Sequence, residues 1–282
     1  MVQVSEAKKG LQYSQDLEDI INVLKLISSL EFSRLSTRMT KKNDVFKIEL
    51  MNCFSLLSGA LEDNVFLSKR EDLPVCYILM CSDEGFLGEV NTRVVNAALA
   101  SGINEDTNFI VTGERGERIL KDSGRKCKCI PPVPNNISLF QIIELANYII
   151  DGYKRSKFGT VKVIYMRYLS VTSHQIEFQN LLPCDELSGI IGKKKDVREL
   201  LIEPDVFYVM EYLVKSWLSE NLFNIFWSSK LSEWAIRLLR LEHSSTELKE
   251  ITKQYRFKYF KAVHNLNDKV IREIFAARET IR

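Results

Sequence analysis

Glycine and proline are missing from both ends of this 282-residue chain. Neither residue occurs from Asp205 to Arg282 or between Gly10 and Gly59; all six prolines and eleven of the twelve glycines fall from Gly59 to Pro204. Histidine is scarce too, and His174, His243 and His264 stand beside no nucleophile pattern, which argues against acid–base or triad catalysis. The six cysteines make no CxxC pair, and Cys127-Lys128-Cys129 is too tight for ordinary zinc spacing, so neither a disulfide framework nor a metal site is expected. The N-terminus has no apolar signal core and no uncharged 18-residue run occurs, leaving a reducing cytoplasmic compartment as the expectation. A net charge of +2 gives no general argument for nucleic acid.

What is present begins with the breaker-free C-terminus. Glycine costs about 1 kcal/mol and proline about 3 kcal/mol inside a helix, so this stretch reads as one or two very long helices. Unbroken, it would extend roughly 110 Å at about 1.5 Å per residue. Glu203-Pro204-Asp205 starts it, with proline and two carboxylates suited to a helix N-terminus. Its first half is apolar on several sides (Phe207, Met210, Leu213, Trp217, Leu222, Phe226, Trp234), so it needs cover there. Beyond Leu241 the pattern thins to a heptad-like seam of Leu241, Leu248, Tyr255 and Ala262, with Ile251, Tyr259, Leu266, Val270 and Ile274 filling the shorter steps. The remaining face should be polar and basic, with nine cations against four anions from Lys249 to Arg282.

The partner for that seam is the other breaker-free end. Leu17, Ile20, Leu24 and Ile27, followed by Leu30, Leu35 and Met39, recur at helical spacing, with Ser14-Gln15-Asp16 as plausible caps. A bend is expected in the polar stretch from Thr40 to Asp44. Between the two ends, short apolar runs (Val75–Cys81, Thr107–Thr112, Lys128–Ile130, Val161–Arg167) alternate with helical ones (Asn91–Ala100, Ile137–Lys154), and Leu169–Leu181 could be an edge strand. The fold class is therefore α/β: a Rossmann-like central domain of mostly parallel sheet over residues 72–195, flanked by long helices at 11–65 and 203–282 that pair as an antiparallel coiled coil.

One stretch resembles chemistry. Ser82-Asp83-Glu84-Gly85-Phe86-Leu87-Gly88-Glu89-Val90-Asn91 follows a strand and opens a helix, as phosphate-cradling loops do. Its GxxG spacing matches neither the three-glycine fingerprint nor a P-loop, and Asp83, Glu84 and Glu89 would repel an anion. A structural turn is the stronger reading, and no catalytic residue, cofactor or direct small-molecule substrate is assigned to the chain.

Taken in order, these motifs resemble the gamma subunit, the central rotor shaft, of F-type rotary ATP synthases. The loop from Ser82 to Asn91 is similar to the family's serine-aspartate-arginine-glycine-leucine-cysteine-glycine-glycine-phenylalanine-asparagine stretch, and Thr112-Gly113-Glu114-Arg115-Gly116 to its glycine-x-lysine/arginine-glycine turn. Val163-Ile164-Tyr165 through Gln179-Asn180-Leu181-Leu182-Pro183 resembles its strand pair ending in leucine-leucine-proline. Glu203-Pro204-Asp205 stands at the start of its last helix, and Leu231-Ser232-Glu233-Trp234-Ala235-Ile236-Arg237 is similar to its serine-glutamate-x-x-alanine-arginine segment.

The resemblance implies a non-catalytic shaft at the cytoplasmic face of the inner (plasma) membrane, partnered by the alpha and beta subunits of a catalytic hexamer, an epsilon-like subunit and a membrane c-ring. It implies ring contacts at Lys253, Arg256, Lys258, Lys261, Lys269 and Arg272, with Ser232, Glu233 and Arg237 nearer the shaft base. It stops at the tip, where the family's arginine-glutamine and isoleucine-threonine pairs that engage catch loops are replaced by Val263-His264 and Asn267-Asp268, and its glycine-rich tail by Ala276-Ala277-Arg278-Glu279. That pattern reads as a divergent member, from an alternative proton- or sodium-linked complex. On the residues alone, two other classes stay open: a nucleotide-binding α/β enzyme with helical dimerisation arms, and a coiled-coil scaffold.

Overall fold

A computed structural model describes residues 2–39, 45–57, 66, 70, 72–102, 106–184 and 202–280. The expected bend at 40–44, the helix end at 65 and the domain end at 195 lie outside the described residues. The elements, in order, are α1 (Val2–Met39), α2 (Val45–Leu56), β1 (Val75–Leu79), α3 (Val90–Leu99), β2 (Asn108–Thr112), α4 (Glu114–Asp122), β3 (Lys128–Ile130), α5 (Leu139–Lys154), β4 (Thr160–Tyr168), β5 (His174–Leu182) and α6 (Val206–Thr280). They form two compact units, one of Met1–Leu30 with Arg237–Arg282 and one of Glu31–Ile236.

The second unit carries a five-stranded sheet in the order β3-β2-β1-β4-β5. The first four strands are parallel, and β5 pairs antiparallel with β4 as an edge. The two-residue alternation of a strand sorts β1 cleanly. Cys76, Ile78 and Met80 face a cluster built with Ile142, Ile149 and Tyr153 of α5 and Val214, Trp217 and Leu218 of α6. Tyr77, Leu79 and Cys81 face the other side, against Val94, Val95 and Ala98 of α3 and Leu120 of α4. Burial on both faces is why these strands read as continuous apolar runs. Near the end of its span in this unit, α6 packs Leu231 and Trp234 on Leu35 of α1.

The helix α4 is absent from the sequence reading, which takes Thr112–Gly116 as a turn. Both glycines have structural work there: Gly113 sits at φ +79° before the first turn, and a Cβ on Gly116 would lie 2.5 Å from Cys81 Cβ, so only glycine lets α4 approach β1 this closely.

In the first unit, α1 and α6 pair antiparallel. A Cβ on Gly10 would meet the Tyr255 ring, Ser245 faces Asn22, and Lys25 pairs with Glu242, so α6 numbers fall as α1 numbers rise. On α6 the seam follows 241, 245, 248, 252, 255, 259, 262 and 266, alternating four and three apart as a heptad does, with 244 and 263 partly covered beside it. The expected seam needs correction at Ile251, Val270 and Ile274, which are exposed; Thr252 is the buried residue in place of Ile251. On α1 the same correction applies to Ile20, Ile27 and Leu30, all exposed, while Leu17, Ile21, Leu24 and Ser28 are covered. Ser14 is no cap. It is buried in mid-helix, its hydroxyl donating to the Leu11 carbonyl at 2.9 Å.

Candidate functional site

Two regions concentrate the residues singled out by sequence, and each lies within one unit. The first is the outer surface of the α1–α6 pair. Lys253, Arg256, Lys258, Lys261, Lys269 and Arg272 are all exposed there. Lys258 stands 5.3 Å over the Tyr255 ring, Lys269 reaches Glu273 at 3.9 Å, and Arg272 Nε donates to the Asp268 carbonyl at 3.2 Å. Where the resemblance stops, Val263 is half-buried in the seam, whereas His264, Asn267 and Asp268 face outward.

The outer face is not purely basic, contrary to expectation. Phe257, Phe260, Ile271 and Phe275 share it with the lysines, and Phe257 and Phe275 are 70% and 63% exposed. On α1, Tyr13, Ile20, Val23, Ile27 and Leu30 form a second outward apolar stripe. Inside the seam small hydroxyls sit among the apolar residues. Among the described residues of this unit, the fully buried ones are Ser14, Ser28, Leu241, Ser245 and Thr252. Ser28 satisfies its hydroxyl on its own helix, donating to the Leu24 carbonyl at 2.8 Å, as Ser14 does to Leu11. The seam thus sets small hydroxyl residues among Leu241 and the half-buried Leu17, Ile21, Leu24, Leu248 and Leu266, while a second set of large apolar side chains faces out. Periodicity alone hid this, because a repeat of three and four marks a stripe without saying which stripe meets the partner.

The second region joins the loop Ser82–Asn91 to α6, and so brings together two of the segments that carried the resemblance. The Ser82 hydroxyl donates to Glu233 Oε2 at 2.9 Å, and Lys230 Nζ donates to the same oxygen at 2.9 Å. All three side chains are buried. Burial pushes the Glu233 carboxyl above its ordinary range, and the Lys230 ammonium and Ser82 hydroxyl oppose that push. Behind them the loop is fixed by its own polar atoms. Ser82 N–H donates to Asn91 Oδ1 at 3.0 Å, and Asn91 Nδ2 donates to the Ser82 carbonyl at 2.7 Å.

Asp83 takes the N-terminus of α4, accepting from the N–H groups of Glu114 at 3.0 Å and Arg115 at 2.8 Å. A protein carboxylate therefore fills the position in which an anion would sit, and the loop behaves as a structural turn. Arg115 closes it by donating to the Glu84 carbonyl at 2.8 Å.

Ser232 and Glu233, expected at the shaft base, are both buried inside the second unit; Ser232 lies 3.0 Å from His174 Nδ1 on β5. Arg237 is half-buried and belongs to the other unit. The sequence reading missed Lys230, His174 and Asp83 as members of this junction. The i, i+3 spacing of Lys230 and Glu233 was the available signal. Elsewhere on this unit, Phe46, Leu139, Ile143 and Tyr212 line an open groove of about 470 Å³. Among the described residues no cluster of His, Cys, Asp or Glu fits a metal ion, and no helix is long and apolar enough to cross a membrane.

With this geometry in hand, comparison with known proteins is consistent across sequence and fold. The family model described as ATP synthase matches residues 3–276. An ATP synthase gamma chain of Clostridium acetobutylicum is 24% identical over 280 residues, covering 98% of this chain and 97% of its own. One from Cytophaga hutchinsonii is 22% identical, covering 100% and 99%. A chain in the cryo-EM structure of the Euglena gracilis mitochondrial ATP synthase, OSCP/F1/c-ring, superposes with a TM-score of 0.70 at 14% identity over 99% of this chain and 94% of that one. A chain of the Tetrahymena thermophila mitochondrial ATP synthase central stalk and c-ring gives 0.60 at 19% identity over 80% and 99%. At such identities the structural likeness is one of fold.

Proposed function

Because the chain belongs to the gamma-chain family of ATP synthases, and is thus a central-stalk subunit of an F-type complex, we propose that its paired helices turn inside a hexamer of alpha and beta subunits while its α/β unit couples to a membrane c-ring and an epsilon-like subunit. It is a peripheral part of a membrane complex, placed by this reading on the cytoplasmic face. Coupling of ATP synthesis or hydrolysis to proton or sodium movement follows from asymmetry. A shaft of two unlike helices makes different contacts with each ring subunit, so its angle and the nucleotide states of the ring bias one another.

The observation that carries the reading is the outward apolar surface of the first unit. A coiled coil that covers one apolar seam and still exposes Tyr13, Ile27, Phe257 and Phe275 has a surface suited to a surrounding sleeve. A scaffold meant to stand alone would keep its outer face polar. Within the sleeve, Lys253, Arg256, Lys258, Lys261, Lys269 and Arg272 supply polar contacts between the apolar ones, and Phe257 and Phe260 take over part of the grip that the altered tip at Val263, His264, Asn267 and Asp268 no longer provides. The test is co-purification of the full chain at native level after gentle solubilisation. Recovery of one copy with six nucleotide-binding subunits and a membrane ring is expected; a lone chain or homodimer would overturn the reading.

A further inference from the structure

Between Glu211 and Glu233, α6 is tied by side-chain bonds to α5, to the β4–β5 edge of the sheet and to the loop that begins at Ser82. Glu211 accepts from Lys154 of α5 at 2.9 Å, Asn221 Oδ1 accepts from Gln179 of β5 at 3.2 Å, and Ser228 Oγ accepts from the Tyr168 N–H of β4 at 3.3 Å. Ser232 meets His174 of β5 at 3.0 Å, and Glu233 accepts from Ser82 at 2.9 Å. Around these ties the contacts are apolar: Val214, Trp217, Leu218, Leu222 and Phe226 all pack in the sheet-side cluster. Apolar packing is non-directional, whereas a buried charge-assisted hydrogen bond fixes one angular setting of the helix and is costly to break.

Of the five ties, the one at Glu233 is both buried and ionic. Lys230 and Glu233 have side-chain exposures of 3% and 7%, and burying two charges is a poor way to gain stability. Their placement calls for another role. Resting on the central-stalk reading, we propose that Lys230 and Glu233, acting through Ser82, form a torque key. They are positioning residues that lock the rotation of α6 to the loop Ser82–Asn91, and through the Asn91 clamp and the Asp83 cap of α4 to the parallel sheet. Lys230 holds the carboxylate of Glu233 in place, and Ser82, which also accepts from the Glu84 N–H at 3.3 Å, receives the load on the loop side.

The test uses the assembled complex in vesicles, with S82A and the double variant K230M/E233M each replacing the native chain. ATP hydrolysis and ion uptake are measured together, and the melting of each isolated chain separately. The key predicts that fewer ions are moved per ATP in both variants, because a turn in which α6 slips against the loop consumes ATP without moving ions. It also predicts that the double variant melts no lower than the native chain, because removing both members of a buried pair is commonly neutral or stabilising. Falling coupling at undiminished stability is the signature a merely structural pair would not give. Unchanged coupling in S82A, or coupling lost only in proportion to melting temperature, overturns the key; if the double variant does not assemble, S82A decides. A native chain that restores no pumping to a complex lacking it would instead remove the central-stalk reading.

Discussion

The two units of this chain solve opposite packing problems with the same helix. Between Val206 and Ile236, α6 buries Val214, Leu218 and Leu222 completely against a sheet. From Arg237 onward it buries only Leu241, Ser245 and Thr252 among its described residues and turns phenylalanine outward. One helix can do both because a helix has no preferred inside; what covers each face decides. The α/β unit supplies its own cover, and the paired helices leave theirs to another protein.

The largest expected effect breaks that comparison with one substitution on each side. Ile164 is fully buried in β4, and Ile164→Ala should cost about 2–5 kcal/mol in chemical denaturation of the isolated chain. Ile27 is exposed on α1, and Ile27→Ala should change stability by less than about 0.5 kcal/mol. In the assembled complex the order changes, because Ile27→Ala should then weaken retention of the chain, measured as the fraction recovered with the hexamer.

Next comes the seam. Leu248→Asp puts a carboxylate at a half-covered position and should destabilise the pair by about 1–3 kcal/mol. Hydrogen exchange should show α1 and distal α6 amides speeding up while those of β1 and β4 do not, which would separate the two units in stability. The glycines sharpen the contrast. A Cβ at Gly159 would lie 2.1 Å from the Arg70 carbonyl oxygen, backbone that cannot swing away, so Gly159→Ala should cost about 1–3 kcal/mol in thermal unfolding. A Cβ at Gly10 meets only the Tyr255 ring, at 2.7 Å, and the gain in helix propensity offsets the displacement, so Gly10→Ala should stay within about 1 kcal/mol of native.

The order of elements and the parallel sheet were legible in the sequence because buried strands are short apolar runs and the breakers lie in the middle of the chain. The partner of the C-terminal helix was legible too. What the residues could not disclose was direction. Ile20 and Leu24 have the same spacing signal, yet one faces solvent and the other the seam. The helix α4 was hidden by glycines that ordinarily end helices, and the burial of Lys230 by a spacing that signals a pair with Glu233 but usually an exposed one.

Smaller effects follow from charge. Reversing Lys258, Lys261 and Lys269 together to glutamate should reduce coupled ATP turnover of the complex while the circular dichroism of the isolated chain is unchanged. In the other unit, His174 is held below its ordinary value of 6.5, chiefly by burial and despite its bond to the Val171 carbonyl. The fold favours the neutral ring, so the stabilising contribution is full above that ordinary value and is lost as pH falls through the lower folded-state value. Melting followed against pH should show a small acid-side step that His174→Asn removes.

The most direct measurement is hydroxyl-radical footprinting of the native chain, alone and within the assembled complex, read residue by residue by mass spectrometry. The account predicts that Tyr13, Phe257, Phe260 and Phe275 react in the isolated chain and are protected in the complex, while Tyr153, buried in the α/β unit, is unreactive in both. Equal reactivity of the four exposed aromatics in the two states would contradict the claim that the outward apolar face exists to be enclosed.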